Sequence, residues 1–246
     1  MPKKRTEGLF DERSKHLDRF GLLLAVTAAS VAALSLVDLR ASPGDLDAEL
    51  GSLTATVLVG TAFLLALSAS GFARRWQRFA DVLVGAIVIV DVALLVVWQV
   101  TETPASLVGP VATGRPLVLV ILSALAPVVV VRRLLRHRQV TRRTLLAAIS
   151  AYLLLPLAFY YAFLTVEAHQ TTPFFGQPEP TTSFMYFSLT TLTTLGYGDL
   201  AAVTPLGRTL ATVEAVVGQV YLVTLVAMLV GLYARRRRTD DRDEAA

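Results

Sequence analysis

Residues 193–199 read TTLGYGD, and this stretch decides the fold because two glycines alternate in it with residues that carry side chains. Glycine adopts left-handed backbone conformations at little steric cost. Alternating left- and right-handed conformations can therefore turn the successive carbonyl groups of Leu195, Gly196 and Tyr197 toward one side. Such a row of oxygens can replace water around a dehydrated monovalent cation, and the Thr194 hydroxyl can add one more oxygen.

The segment just upstream, residues 181–194, is apolar and rich in hydroxyl groups. We expect a short helix there, with Thr181 or Thr182 as its N-terminal cap. At about 12–14 residues it is too short to cross a membrane and suits a re-entrant segment. Its carbonyl end then points into the membrane, where the helix dipole favours a cation. Before it, residues 170–180 contain three prolines and a glycine, which predicts an ordered or a loose turret.

The composition indicates a membrane protein. Of the 246 residues, 54% belong to the set AVILMFWYC and 17% are charged. A soluble domain of this size could not bury so much apolar surface, which argues against a soluble enzyme, a disordered chain and a nucleic-acid-binding domain. The chain has no cysteine, and its three histidines are far apart, so neither disulfides nor a metal cluster is expected. No nucleophile–base set stands out, and we expect no enzymatic activity.

Six long apolar runs predict an all-α membrane protein with six transmembrane helices. Each run is near or above the ~20 residues that cross a bilayer. The predicted spans are 18–39, 51–72, 80–100, 116–135, 144–167 and 207–234. The short re-entrant helix and the glycine-containing strand lie between the last two spans.

The basic residues predict the orientation of these spans. When the connections are assigned alternately to the two sides, all but three of the 23 Lys and Arg residues fall on one side; the exceptions are Arg40, Arg115 and Arg208. The positive-inside rule makes that side the cytoplasm, so the chain is expected to be a multi-pass protein of the cell membrane with both termini cytoplasmic. Because the basic residues flank spans and form no separate domain, their expected partners are lipid headgroups and not nucleic acid.

Residues 194–199, TLGYGD directly after a short helix, resemble the selectivity filter of tetrameric potassium channels with six spans. The one departure from the commonest form is Leu195, where valine is usual. The similarity continues through Val203-Thr204 and Gly207-Arg208 and covers residues 181–234.

This resemblance implies a potassium-selective channel that conducts passively. Its ion-binding residues would be Thr194, Leu195, Gly196, Tyr197 and Gly198, with K⁺ held at the first four. K⁺ is then the permeant ligand, and no cofactor is expected. The motif occurs once per chain, and four strands are needed to ring an ion, so the resemblance implies a homotetramer.

The resemblance also implies a division of the chain into four parts. Residues 1–17 would form a cytoplasmic N-terminal segment, and residues 18–139 a four-helix domain similar to a voltage sensor. Residues 140–234 would form the pore domain, with an outer helix, the pore helix, the filter and an inner helix. Residues 235–246 would be a short cytoplasmic tail.

The front four spans lack the charge pattern of a working voltage sensor. Such a sensor needs arginines inside its fourth helix, yet residues 116–131 carry no charge. The arginines cluster at the inner end of that span, and the second span has no acidic residue to receive them. We therefore expect weak or absent intrinsic voltage dependence. Asp91, deep in the third span, is either a remnant of an acidic sensor helix or a carboxyl that packs helices.

Three residues are assigned to support of the filter. Tyr186 on the pore helix is expected to pack around the filter and to bond Asp199. Glu214 in the last span either supports the back of the filter or is a buried carboxyl bonded to nearby hydroxyl groups. The candidate partners of Glu214 are Thr190, Thr191 and Thr193.

Two residues of the last span are candidates for gating and for the water-filled cavity. Gly218 is either a hinge or a close-packing point against the fifth span. Gln219, next to it, either faces the cavity and helps to hydrate ions or bonds another helix.

Other functions stay open at this point. The nearest alternative is a pore of the same fold that does not discriminate among monovalent cations. Alternatives from other classes are a secondary transporter, for which the expected internal repeat is missing, and a membrane sensor that does not conduct.

Overall fold

The protein is all-helical over the part of the chain that the structure describes. The computed structural model describes the backbone of residues 4–36, 38, 46–70, 74–101, 105–134 and 142–243, and most of their side chains from Phe20 onward. Within these residues there are seven helices and no β-sheet, and "the strand" denotes the irregular segment 194–199 that follows α6. They are α1 (Lys4–Leu36), α2 (Leu46–Ala69), α3 (Arg74–Thr101), α4 (Ala105–Leu134), α5 (Arg142–His169), α6 (Thr181–Leu192) and α7 (Pro205–Asp243).

Each predicted span falls on one long helix, and the predicted short helix is α6. Some helix bounds differ from those of the predicted spans. α1 begins at Lys4 and ends at Leu36, whereas the predicted span ran from 18 to 39. α7 continues through the basic tail to Asp243. Backbone hydrogen bonding therefore extends beyond the apolar part of both helices. The ends of the second and fourth predicted spans, residues 71–72 and 135, lie outside the described residues.

One helical stretch of the described residues, Thr144–His169 in α5, is long and apolar enough to cross a membrane. Two further apolar stretches, Phe20–Leu36 and Leu53–Ala69, are shorter than a full span. This supports a membrane protein, while the number of spans and the orientation of the termini stay predictions.

α5 is the helix around which the described chain packs. It contacts α1, α4, α6 and α7. Small residues on its buried face, Ala147, Ala148 and Ala151, let neighbouring helices approach closely. Farther along, Leu154 and Leu157 are almost fully buried. The short helix α6 contacts both α5 and α7, and it also contacts α1.

The turret between α5 and α6 is ordered. The backbone N–H of Phe174 donates to Glu167 Oε2, and the carbonyl of Phe174 accepts from the N–H of Val203 at 2.9 Å. The Phe174 ring is fully buried, with the rings of Phe163 and Phe184 centred 5.1 and 5.5 Å away. An aromatic cluster of this kind fixes the chain because each ring contributes a large apolar surface. Of the two expected forms, the ordered turret is the one observed.

Gly207 on α7 provides a test of this packing. A Cβ atom at this position would lie 2.8 Å from Phe174 Cε2 and 2.8 Å from Thr204 Oγ1. We predict that Gly207→Ala lowers the free energy of unfolding by about 2 kcal/mol, because overpacking forces the ring or the backbone to move. Thermal unfolding of the protein in detergent measures the effect. The control is Gly21→Ala in α1, where a Cβ meets nothing within 4 Å. Equal midpoints for the two variants would contradict the prediction.

Candidate functional site

The glycine-containing strand follows directly after α6. The helix ends at Leu192, and Thr193 is its C-cap with φ −80° and ψ −1°. The N–H of Thr194 donates to the carbonyl of Thr191 at 3.1 Å. The N–H of Gly196 donates to the carbonyl of Thr190 at 3.2 Å. The start of the strand is thereby bonded to the last turn of the helix.

The strand has positive φ at every second residue. The angles are +60° at Thr194, +50° at Gly196 and +82° at Gly198. Alternation was expected from the glycines, which have no Cβ to clash. Thr194 was not expected to share it, and it is the one non-glycine residue with positive φ among those described. A β-branched residue in this region is strained by roughly 1–3 kcal/mol, and such strain is concentrated at functional sites.

Every residue from 193 to 199 is exposed in the single chain. Leu195 is 60% exposed and Tyr197 is 69% exposed. A large apolar and an aromatic side chain left uncovered beside two glycines indicate a surface that another molecule completes. On the side toward α6 the same segment is held by the hydrogen bonds that the N–H groups of Thr194 and Gly196 donate to the last turn of the helix.

Tyr186 joins α6 to the end of the strand. Its hydroxyl donates to Asp199 Oδ2 at 2.8 Å, so the expected hydrogen bond is present. Its ring is stacked on that of Tyr197, with centroids 6.4 Å apart and planes inclined by 5°. The hydrogen bond to Asp199 raises the pKa of the Tyr186 phenol. The neighbouring Phe187 packs into the turret cluster, with its ring 5.9 Å from that of Phe174.

Behind α6 a serine links three helices. The Ser188 hydroxyl lies 2.9 Å from the carbonyl oxygen of Pro156 in α5, and it also contacts Glu214 Oε1 of α7. Glu214 is fully buried. Ser188 was not singled out from the sequence, although Phe184, Ser188 and Leu192 follow a helical i, i+4, i+8 stripe. A polar residue in the middle of such a buried stripe is the signal that could have identified it.

Two of the three threonines that were expected to bond Glu214, Thr190 and Thr193, bond backbone carbonyls instead. The hydroxyl of Thr190 bonds the carbonyls of Tyr186 and Phe187 at 3.0 and 3.1 Å. The hydroxyl of Thr193 bonds the carbonyl of Leu189 at 2.6 Å. The expectation was wrong for these two residues because a helical threonine readily satisfies its hydroxyl on its own preceding turn.

The Ser188 hydroxyl lies between two groups that could accept its hydrogen, the Pro156 carbonyl and the Glu214 carboxyl. Ser188 has a single hydroxyl hydrogen, and the carbonyl of Pro156 can only accept. When that hydrogen goes to Pro156, the contact with Glu214 is a hydrogen bond only if the carboxyl carries its own proton and donates it. The other carboxyl oxygen, Oε2, has no hydrogen-bond partner among the described residues. The surroundings therefore suit a neutral Glu214.

Gly218 is the point at which α7 touches the end of α6. A Cβ there would lie 2.7 Å from Leu192 Cδ1 and 2.8 Å from the Leu192 carbonyl oxygen. The close-packing role expected for Gly218 thus involves α6 and not the fifth span. Its role as a hinge stays a prediction. Gln219 is exposed in the single chain, and its contact with a cavity also stays a prediction.

The segment after the strand is held by Arg208. Its Nε donates to the carbonyl of Ala202 at 3.0 Å, and the N–H of Gly207 donates to Thr204 Oγ1 at 3.2 Å. Together these bonds fix the return of the chain into α7.

The predicted cap of α6 was wrong. Pro180, with φ −62° and ψ 156°, occupies the N-cap position, and Thr181 is the first helical residue. Asp38, beyond the end of α1, instead accepts hydrogen bonds from Thr181. Two other expectations cannot be placed: the side chain of Asp91 and the arginines at 136 and 138 lie outside the described residues.

Glu214 provides a test of the buried link. We predict that Glu214→Ala lowers the free energy of unfolding by about 2–4 kcal/mol, because it leaves a cavity and removes a buried hydrogen bond. Glu214→Gln keeps the volume and a neutral donor toward Ser188, and it should cost less than 1 kcal/mol, about the cost of an isosteric swap. Thermal unfolding in detergent measures both. Equal losses of stability in the two variants would contradict the prediction that a neutral donor of similar volume can replace Glu214.

A family model described as an ion channel matches residues 148–235, from α5 through most of α7. The matched range contains α6, the strand with alternating φ, Glu214 and Gly218. Neither the curated proteins nor the solved structures gave a significant match to the chain. The part of the chain that carries the candidate site is therefore similar to the ion channel family, and this similarity indicates an ion channel.

Proposed function

We propose that the protein is a potassium-selective channel in the cell membrane, with a pore that four identical chains form around residues 194–198. One observation supports this most: the strand after α6 has positive φ at every second residue. This backbone pattern can present successive carbonyl oxygens on one side, and it lies inside the ion channel match. The proposal follows the potassium channel resemblance of the TLGYGD motif.

In this proposal the peptide oxygens of Thr194, Leu195, Gly196 and Tyr197, with the Thr194 hydroxyl, substitute for the hydration shell of K⁺. The carbonyl end of α6 adds the negative end of its dipole near the ion. Asp199 at the outer end contributes a negative charge that attracts cations to the entrance. Ions then pass down their gradient without covalent chemistry, and no cofactor is needed.

Exposed surface supports the need for several subunits. One strand cannot surround an ion, and residues 193–199 are uncovered in the single chain. α7 also leaves a row of valines exposed. The exposed valines are Val213, Val216, Val217, Val220 and Val223. Copies arranged about one axis would cover both surfaces, which is how closed rotational symmetry completes an interface.

Gly196 tests conduction. Its φ of +50° disfavours any residue with a Cβ by about 1–2 kcal/mol in each chain. We predict that Gly196→Ala reduces K⁺ flux into liposomes at least tenfold, while Gly85→Ala in α3, where a Cβ meets nothing within 4 Å, keeps it.

Selectivity is measured on the same preparation with K⁺ on one side of the membrane and Na⁺ on the other. A reversal potential near that of K⁺ is expected. A reversal potential near zero would favour the non-selective cation pore. A transporter or a non-conducting sensor would show no channel current, and in either case the Gly196→Ala variant would match the wild type.

Voltage dependence is expected to be weak. Each charge that crosses the field contributes about 2.3 kcal/mol per 100 mV, and residues 116–131 carry none. We predict a gating charge below about one elementary charge per subunit, against 3–4 in arginine-rich sensors. Arg132→Gln, at the inner end of the fourth span, should leave this value unchanged. A steep conductance–voltage curve that Arg132→Gln flattens would refute the prediction.

A further inference from the structure

The outer end of α6 is held by a residue from the far end of the chain. Pro180 at the N-cap has no side chain that can accept a hydrogen bond, and none is made there. Asp38 fills this role: its Oδ1 accepts from the N–H of Thr181 and from the hydroxyl of Thr181, both at 2.8 Å. The two residues are 143 positions apart in sequence. A carboxylate at this end also faces the positive end of the helix dipole.

Asp38 lies two residues beyond the end of α1, the first helix of the expected sensor-like domain. α1 packs against α5 as well as α6, and α4 packs along α5. Two of the front helices, α1 and α4, thus lie on the outer helix of their own chain, and α1 also lies on its pore helix.

We propose that Asp38 is a positioning residue that holds the outer end of the pore helix of its own subunit, so that the front four helices act on the filter of the same chain. This rests on the proposed channel function. α6 has 12 residues and is about 18 Å long. It is bonded at one end to Asp38 and at the other to the strand, through Thr190 and Gly196. A short helix moves as a rigid body, so a displacement of its outer end reaches the strand.

The pairing within one chain can be tested without any measurement of conduction. The natural chain has no cysteine, so only introduced thiols can react. In the assembled full-length protein, Asp38→Cys combined with Thr181→Cys should form a disulfide on mild oxidation. Denaturing gels should show a single-chain band whose two thiols become available to a maleimide only after reduction. Each single variant is the control.

Two results of this experiment would overturn the proposal. Bands of linked chains from the double variant, absent from both single variants, would place Asp38 on a neighbouring subunit. Free thiols in every chain after oxidation would show that the two residues do not meet.

The positioning role is tested by flux. Asp38→Asn replaces two hydrogen bonds to a charged acceptor with weaker neutral ones, and we expect about a fivefold loss of K⁺ flux. The matched control is Glu179→Gln, which removes the same charge close to the same helix end. Glu179 bonds Gln177 and Ser183 of its own segment, at 2.8 and 3.1 Å. Asp38→Glu should restore most of the flux.

Equal losses in Asp38→Asn and Glu179→Gln would overturn the positioning role, because the local charge alone would then explain the effect. Wild-type flux in Asp38→Asn would also overturn it. If the wild-type protein itself carries no K⁺, the proposed channel function fails, whereas the disulfide experiment still decides whether Asp38 holds its own pore helix.

Discussion

A threonine held at φ +60° is the constraint on which the rest of the candidate site depends. In an isolated chain Thr194 would leave this conformation, since its Cβ branch clashes there. Two backbone hydrogen bonds counter that tendency, from Thr194 to Thr191 and from Gly196 to Thr190. Both acceptors belong to the last turn of α6. The conformation of the strand is therefore only as well defined as the position of that helix.

α6 cannot define its own position, because a helix of 12 residues is marginal in isolation. Its neighbours supply the stability. Phe184 is buried in the turret cluster, and Ser188 is bonded to α5 and α7. Gly218 lets the backbone of α7 approach the carbonyl of Leu192. These contacts differ in kind, being aromatic packing, a buried polar link and close approach, yet all of them act on one short element.

The sequence was informative wherever the physics is local. Apolar runs identified the long helices because hydrophobic length is read directly along the chain. The bond between Tyr186 and Asp199 followed from their closeness to the motif. The positive φ values of Gly196 and Gly198 followed from the missing Cβ. Thr194 could not be predicted in the same way, because its conformation is imposed by α6 and not by its own preference.

Hydrogen bonds between polar residues far apart in the chain could not be predicted from the sequence, for a related reason. Ser188 meets residues 26 and 32 positions away, and Thr181 meets Asp38 from 143 positions away. The buried stripe of α6 could have marked Ser188 as a polar residue with a partner, but nothing local says which residues it meets, and nothing local distinguishes Asp38 from other aspartates. Their partners depend on which helix faces meet, and that is decided by packing along α5. Thr190 was misassigned because a helical hydroxyl has an acceptor on its own preceding turn.

The two sides of the strand differ, and this difference bears on how strongly a substitution would affect conduction in the proposed channel. The side toward α6 is completed inside one chain, whereas residues 193–199 are left exposed for something else to complete. In the proposed tetramer, each chain would therefore set its own filter geometry from behind, and symmetry would only close the ring. A substitution behind α6 then acts four times on one ion pathway. A local cost of ~1 kcal/mol, the typical value of one net hydrogen bond, becomes about 4 kcal/mol for the assembly. Small changes at Ser188 or Glu214 should accordingly matter more to conduction than to the folding of any single chain.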